Sequence, residues 1–378
     1  MKKIILLLFI GIIINSCSSE EDNLNKNSNL NKGEYVMLIP LSRPINTIEF
    51  NNEIYIFYND DEANNQSFIH GESNKLSKIN SEGLIEWTKE IPLYNYPDLS
   101  VASITNNKLN FFYQYNGEFN LMKFDLEGNF VEKKSIITNE SYDSVQVNEN
   151  DFILIRHNSN GITYKKYSFS GEIKETVNID LEIEETGKSK SILKNNKVYL
   201  FSISDFVRNS TFSYKKFFCK TFNQNNLINT INVDTSAKNA TYGLSNVFKN
   251  GNILMYFRDN QNNRELKLFN QNGLEIANNS FEPNYVGNSF LNTSENIAII
   301  GNYKETSNSI RTHLTILDSN LNIVSQRLLG VNNYNNFRIA YESNNNYYVV
   351  GLTNSKTGDF DLPNKSTGID MFIYKLKK

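Results

Sequence analysis

The sequence contains few of the residues that build metal sites or disulfide frameworks. It has only two cysteines and three histidines in 378 residues. His70, His157 and His313 lie far apart and lack the spacing of zinc ligands, so we predict no metal site. The motifs G-x-S-x-G, H-E-x-x-H and G-x-G-x-x-G and the P-loop are also absent. Their absence weakens an enzymatic function without removing it, because a site can be assembled from residues distant in sequence.

Long apolar runs are missing except at the N-terminus. Lys2 and Lys3 precede an uncharged apolar run from Ile4 to Ile14, which is too short to span a bilayer. A basic start followed by a short apolar run and a small residue is typical of a secretory signal peptide. We therefore predict that residues 1–16 are a signal peptide and that no later segment crosses a membrane.

Ser16 and Cys17 follow this apolar run and resemble the lipobox of bacterial lipoproteins, in which the cysteine is acylated and becomes the mature N-terminus. The resemblance implies lipidation at Cys17, and several acyl chains anchor a protein stably. Residues 18–22 (SSEED) resemble the acidic export signal of some Gram-negative lipoproteins. This implies an outer-membrane protein exposed at the cell surface, whereas periplasm-facing anchoring or ordinary secretion with an incidental Cys17 are the alternatives. Residues 17–32, which are rich in Asn and Ser, are predicted to be a flexible tether.

Positive charge is not in excess. The net charge is −3, and removal of residues 1–16, which contain two lysines, makes it −5. A nucleic-acid binder would show a basic stripe, so we predict no nucleic-acid partner. Lipidation at Cys17 would leave Cys219 without a partner, and we expect Cys219 to be a buried, inert thiol.

Asparagine is abundant, at about one residue in six, and it alternates with stretches rich in Tyr, Phe, Ile and Val. Asn and Gly tolerate left-handed backbone conformations and therefore favour tight turns. Aromatic and β-branched residues favour the strands between those turns. Because no long stretch shows helical apolar spacing after residue 16, we predict an all-β protein.

Two patterns recur along the chain. The first is a hairpin in which Asn, Asp or Ser precedes a short polar run and a Gly or Asn turn. It occurs as KINSEGLIEW (78–87), KFDLEGNFVE (123–132), YSFSGEIKET (167–176), TFNQNNLINT (221–230), LFNQNGLEIA (268–277) and ILDSNLNIVS (316–325). The second, a polar turn (usually rich in Asn) that enters an apolar strand, occurs seven times, starting near residues 51, 106, 148, 195, 250, 294 and 344. Together they define a unit of four strands, a to d.

The spacing of these units is typical of the blades of a β-propeller, in which radially stacked sheets bury faces that a single sheet leaves exposed. We predict seven four-stranded blades in residues 33–378. The last unit lacks a strand d, and the segment from Gly33 to Ser42 matches the pattern of that strand. We therefore predict that this N-terminal strand completes the last blade and closes the ring, which removes two exposed sheet edges. Six or eight blades remain alternatives.

Two family resemblances accompany these patterns. The GLIEW and DLEGNF turns resemble those of PQQ-type and related bacterial propeller repeats, and TNSKTGDFDLPNKSTGIDMFIYKL (353–376) resembles the repeats of SBBP-like seven-bladed proteins. Only one blade contains a tryptophan, Trp87, so the tryptophan series that docks a quinone is missing and no cofactor is implied. We expect Trp87 to pack at the periphery of the first blade.

Candidate binding residues lie in the d–a and b–c connections, which share one face of a propeller. Tyrosines recur in the d–a connections and suit stacking against sugars or a protein partner; packing between blades is the alternative for each of them. The candidate residues are Tyr94, Tyr96, Tyr142, Tyr242, Tyr285, Tyr334, Arg156, His157 and Arg258.

These features predict a non-catalytic, membrane-anchored module that binds a glycan, a peptide or an envelope protein. One alternative is a hydrolase or lyase of polysaccharide or peptide that uses carboxylates such as Asp60, Asp61 or Asp359. The other is a purely structural component of an envelope complex. The two aspartates in GDFD (358–361) are too few for a calcium loop and favour turn stabilisation.

Overall fold

The computed structural model describes residues 30–31, 33–60, 74–93, 97–137, 140–158, 161–180, 190–194, 197–204, 216–224, 226–234, 245–248, 250–258, 264–281, 285–292, 296–304, 306, 309–330, 335–362 and 365–378. Apart from a short 3-10 helix, Gly358–Phe360, the regular structure in these ranges consists of 28 β-strands. Within these ranges, no helix is long and apolar enough to cross a membrane.

The strands form seven antiparallel sheets of four strands each, so the predicted all-β, seven-bladed propeller is confirmed. In order a to d, the blades are blade 1, β2 (Ser42–Phe50), β3 (Glu53–Asp60), β4 (Asn74–Ile79) and β5 (Ile85–Ile91); blade 2, β6 (Leu99–Thr105), β7 (Lys108–Tyr115), β8 (Glu118–Asp125) and β9 (Phe130–Ile137); blade 3, β10 (Ser144–Val147), β11 (Asp151–Asn158), β12 (Gly161–Ser168) and β13 (Ile173–Asp180); blade 4, β14 (Lys190–Lys194), β15 (Lys197–Ser204), β16 (Lys216–Asn223) and β17 (Asn226–Asp234); blade 5, β18 (Asn246–Val247), β19 (Ile253–Arg258), β20 (Arg264–Phe269) and β21 (Glu275–Phe281); blade 6, β22 (Tyr285–Asn292), β23 (Ile297–Lys304), β24 (Ile310–Leu317) and β25 (Ile323–Leu329); and blade 7, β26 (Asn335–Ser343), β27 (Asn346–Thr353), β28 (Asp370–Lys377) and β1 (Tyr35–Ile39).

The seventh sheet takes its fourth strand from the N-terminal segment. β1 pairs with β28 from Tyr35↔Lys375 to Ile39↔Met371. The strand is shorter than the predicted segment from Gly33 to Ser42, because Ser42 already begins β2. Pro44 lies in β2, the inner strand of blade 1, beside a bulge between Pro44 and Asn46, a position at which proline is tolerated in a sheet.

Local turn chemistry accounts for the hairpins. The a–b turns of blades 1, 2 and 7 each contain two consecutive asparagines with positive φ, for example Asn106 (51°) and Asn107 (55°). The c–d turns use a different device, in which a side-chain oxygen accepts two backbone N–H groups. Asp125 Oδ1 accepts Glu127 N at 3.0 Å and Asn129 N at 2.8 Å, and the same bonds form at Asn80, Asn270 and Asp318. This is why Asn or Asp recurs at that position.

Apolar side chains of neighbouring blades pack together and form the core. One such cluster joins blades 1 and 2 through Phe57, Phe111 and Phe124, all essentially buried, and the Phe57 and Phe111 rings stack 4.2 Å apart. Trp87 lies on β5, the outer strand of blade 1, and packs under the c–d turn of blade 2. Its predicted peripheral position agrees with this placement. Cys219 is fully buried, and burial raises the pKa of its thiol.

Strand direction divides the molecule into two faces. Strand a ends, and strand d begins, at the side that carries the a–b and c–d turns, which we call the turn face. The b–c and d–a connections lie at the opposite side, which we call the loop face. The a strands of neighbouring blades contact one another, as β2 does with β6 and β26, so these strands lie on the inside of the ring.

Candidate functional site

Arginine is concentrated at the loop face. Of the eight arginines in the chain, Arg208 lies outside the described residues. All of the other seven lie in the loop-face halves of their strands: Arg43, Arg156, Arg258, Arg264, Arg311, Arg327 and Arg338. Arg327 differs, because it forms an ion pair with the buried carboxylate of Glu34, with Nη1 and Oε2 2.9 Å apart. A planar guanidinium binds carboxylate or sulfate groups through two parallel hydrogen bonds, so this face is suited to an anionic ligand.

The loop-face end of blade 3 carries a hydrogen-bonded polar cluster around His157. Asp143 Oδ2 accepts the backbone N–H of His157 at 2.5 Å and lies 3.1 Å from its Nδ1. The other ring nitrogen, Nε2, lies 2.8 Å from Oγ of Ser191 on blade 4. With a proton on Nδ1 directed to Asp143, Nε2 accepts the Ser191 hydroxyl. In that tautomer the Asp143 carboxylate fixes the ring orientation, and the lone pair of Nε2 is directed at Ser191.

A second group of polar residues lies at the same loop-face end of blade 3, on the side of the sheet that faces blade 2. The Glu140 carboxylate accepts a hydrogen bond from the Tyr142 hydroxyl and forms an ion pair with Lys165, whose Nζ lies 2.9 Å from Oε2. These two hydrogen bonds lower the pKa of Glu140, and the positive charges of Lys165 and Arg156 lower it further. We refer to Glu140, Tyr142, Asp143, Arg156, His157, Lys165 and Ser191 together as the blade-3 cluster. Arg156 is the exposed cation in it.

The structure thus brings together three of the predicted binding residues: Tyr142, Arg156 and His157. Tyr142 is not exposed, because only 4% of its surface is accessible and it packs between blades 2 and 3. It therefore follows the alternative of packing between blades, and its hydroxyl orients Glu140.

The remaining predicted residues are placed in part or lie outside the described ranges. The structure gives only backbone positions for Asp60, Arg258 and Tyr285, which lie at loop-face ends of strands. Five predicted residues lie outside the described ranges: Tyr94, Tyr96, Tyr242, Tyr334 and Asp61. The predicted lipidation site, Cys17, lies outside them as well.

Asp359, one of the carboxylates considered for catalysis, has a structural role. It is buried, and its Oδ2 accepts the Tyr374 hydroxyl at 2.8 Å and the backbone N–H of Gly330 at 3.1 Å. Asp361 is exposed and pairs with Lys365. Asp359 therefore fixes the b–c connection of blade 7 against Tyr374 and Gly330, which agrees with the predicted turn stabilisation and leaves Asp359 inaccessible to a substrate.

Sequence reasoning missed four members of the blade-3 cluster: Glu140, Asp143, Lys165 and Ser191. Asp143 follows Tyr142 directly, so the d–a connection did carry a signal for it. Ser191 is the second residue of β14, and Lys165 is the fifth residue of β12. Nothing in their neighbouring residues distinguishes them from other strand residues. Only the packing of blade 3 against blade 4 brings Ser191 to His157.

Comparison with known proteins supports the fold. No protein-family model matches the chain, and no curated protein matches it in sequence. Among solved structures, an ulvan lyase of polysaccharide lyase family PL25, bound to -[GlcA(1-4)Rha3S]-, is similar with a TM-score of 0.58 and 12% identity over 88% of this chain and 92% of that chain. Polysaccharide lyase Uly1 is similar with a TM-score of 0.54 and 11% identity over 88% of this chain and 89% of that chain. The propeller domain of the Trilobed protease from Pyrococcus furiosus is similar with a TM-score of 0.50 and 11% identity over 82% of this chain and 91% of that chain. These likenesses define a shared propeller architecture.

Proposed function

We propose that the protein is a lipid-anchored protein of the cell envelope whose loop face binds an anionic glycan without cleaving it. The observation that carries this proposal is the concentration of arginines at the loop face, with Arg156 exposed in the blade-3 cluster. A guanidinium is matched to the carboxylate of a uronic acid or to a sulfate ester. A similar fold binds an acidic saccharide in the PL25 ulvan lyase, which supports this class of ligand for a propeller.

Titration calorimetry with a sulfated, uronate-containing oligosaccharide tests the proposal. We expect binding that is lost when the same oligosaccharide is desulfated and its carboxyl groups are reduced. Arg156→Ala should weaken binding about tenfold or more, because a hydrogen bond to a charged group contributes roughly 1.5–3 kcal/mol. Arg156→Lys should restore only part of the loss, because lysine retains the charge but not the two-pronged geometry. Lys108→Ala, an exposed cation at the turn face, is the matched control. Equal affinity for the charged and neutral oligosaccharides would contradict the proposal.

The anchor in this proposal is the lipidated Cys17, and the expected location is the outer surface of the outer membrane. The topology supports an orientation for such a protein: β1 begins at the turn face, so a chain leading back to Cys17 leaves from that face. The loop face then points away from the membrane. Cys17→Ala should release the protein from the membrane fraction, and protease treatment of intact cells should separate surface exposure from periplasmic exposure.

A second candidate function is cleavage of the same glycan, favoured by the hydrogen-bonded pair of Asp143 and His157. In β-elimination, Nε2 of His157 would take the proton next to the uronate carboxyl group. The C–O bond at the neighbouring carbon would break, and the departing oxygen would gain a proton from solvent or an acid. An arginine of the loop face would stabilise the charge that develops on the carboxylate.

Turnover separates the two candidates. A lyase would generate the ultraviolet absorbance of a new carbon–carbon double bond when mixed with the uronate-containing oligosaccharide. His157→Ala should abolish that signal and Asp143→Asn should reduce it, whereas Asp361→Asn should leave it unchanged. Binding without any such signal would support the non-catalytic function.

A further inference from the structure

Exposed apolar side chains of the described residues are confined almost entirely to one position in the repeat. Twelve large hydrophobic residues are exposed, and eleven of them lie at or next to the first residues of strand d in blades 1 to 6. We call these eleven residues the apolar rim: Leu84, Ile85, Phe130, Val131, Ile173, Leu227, Ile228, Leu274, Ile276, Ile323 and Val324. The twelfth, Ile369, precedes β28 at the loop face.

The rim residues expose large fractions of their surface to solvent. Their exposed fractions run from 42% for Leu84 to 66% for Leu274. Later residues of the same strands include charged ones, such as Lys89 and Glu90 on β5, which is the usual way to protect an edge strand. Exposed apolar residues that recur in a pattern, unlike scattered single ones, indicate an interaction surface.

All rim positions lie at the turn face. Strand d begins directly after the c–d turn, so the rim residues of six blades form an arc around the periphery of that face. The seventh blade does not contribute to the arc, because the first residues of its strand d, Tyr35 and Val36 of β1, are buried. A partner that contacts the whole arc at once must be broad and flat, and a lipid bilayer is such a surface.

The position of the proposed anchor agrees with this partner. Residues 17–32 lead into the turn face at β1, and sixteen residues span at most about 55 Å when fully extended. An anchor at Cys17 therefore holds the turn face close to the membrane, where weak individual contacts act together. Acidic residues such as Glu82 and Glu127 lie in the same c–d turns, so attraction to anionic lipid is not part of the arrangement.

We propose that the apolar rim docks the turn face on the membrane that holds the anchor. The inference rests on the proposed lipidation of Cys17 for its biological setting. Docking would insert the rim side chains at the boundary between headgroups and acyl chains, as the apolar faces of interfacial helices do. It would hold the loop face, with Arg156 and His157, toward the exterior.

Co-sedimentation of the mature chain, residues 17–378 carrying Cys17→Ala, with phosphatidylcholine vesicles tests the docking without any acyl group. We expect measurable partitioning that does not fall when NaCl is raised from about 0.1 to 0.5 M, because screening weakens only charge interactions. Leu274→Ser should lower the partition coefficient several-fold. Adding Ile276→Ser, Ile323→Ser and Val324→Ser should lower it more than tenfold. Ile369→Ser, an equally polar change at the loop face, should have no effect.

Absence of partitioning by the mature chain, or an equal effect of Leu274→Ser and Ile369→Ser, would overturn the inference. Self-association in solution that the four rim substitutions abolish would instead assign the rim to a second copy of the chain. Glycan binding measured on the same variants should be unchanged, so failure of the rim is distinguishable from failure of the proposed function. Thermal unfolding of each variant verifies that the fold is intact.

Discussion

At the scale of single residues, the contact between Gly128 and Trp87 shows how one blade is fitted to the next. Gly128 has a positive φ of 76°, and a Cβ at this position would lie 2.5 Å from two carbons of the Trp87 ring. Gly128→Ala therefore combines a left-handed backbone cost, on the order of 1 kcal/mol, with displacement of the ring. We expect the free energy of unfolding to fall by about 2–3 kcal/mol in urea denaturation.

Gly251→Ala is the matched control for this prediction. Gly251 has a similar φ of 84°, but a Cβ there would meet only Gln271 atoms at 3.5 Å, so we expect the backbone cost alone. Since Trp87 is the only tryptophan, its fluorescence emission should shift in Gly128→Ala and not in Gly251→Ala. If both variants lost the same stability and the Trp87 emission of Gly128→Ala were unchanged, the added methyl group would not displace the Trp87 ring.

The residues of the candidate site differ in how far the sequence could reveal them. Arg156 and His157 end an apolar strand, so their place at the loop face follows from strand direction alone. The role of Tyr142 does not, because whether a tyrosine in a connection is exposed or buried depends on the neighbouring blade. Ser191 is the extreme case: it is separated from His157 by 34 residues and meets it only through the packing of two blades.

At the scale of elements, the b–c connection of blade 7 depends on the ionised carboxylate of Asp370. This side chain is fully buried and pairs with Lys356 at 2.8 Å. Burial alone would raise its pKa, but hydrogen bonds from Lys356, Ser366 and the backbone of Leu41 outweigh it and lower the pKa. The folded-state pKa thus lies below the unfolded value of about 3.9, and the stabilisation is present above that value and lost as the pH falls through the folded-state pKa.

Asp370→Asn should therefore lower the stability at neutral pH and flatten the dependence of stability on pH in the acid range, below about pH 4. Urea midpoints measured across that range give the comparison. Asp361→Asn is the control, because Asp361 is 66% exposed and pairs with Lys365 at the surface, where an ion pair contributes little. An unchanged pH dependence in Asp370→Asn would mean that the carboxylate is not ionised in the folded protein.

The same connection marks a limit of prediction at this scale. The hairpins were predictable because their bonds are local, as at Asp125, which binds backbone groups two and four residues away. The partners of Asp359 and Asp370 include Gly330 and Leu41, which are 29 and 329 residues distant. No local pattern encodes such contacts.

At the scale of the whole molecule, β1 covers what would otherwise be an unpaired strand in the last sheet. Leu38 on β1 is fully buried, in a cluster with Phe372, Tyr374 and Leu376 of β28. Glu34, just before β1, accepts hydrogen bonds from Arg327 of blade 6 and from the backbone of Lys377. The N-terminal segment therefore bonds to blades 6 and 7 across 293 and 343 residues of sequence.

Deleting residues 30–41 should consequently destabilise the entire propeller rather than one blade. The deletion exposes the edge of β28 together with its apolar side chains, so we expect a lower midpoint of thermal unfolding and a tendency to aggregate. Leu38→Ala is a milder perturbation, which should lower the free energy of unfolding by about 2–5 kcal/mol. Deleting residues 18–29 instead removes none of these contacts and should leave the midpoint unchanged. If the chain without residues 30–41 unfolded at the same temperature as the intact chain, β1 would have no role in holding the ring together.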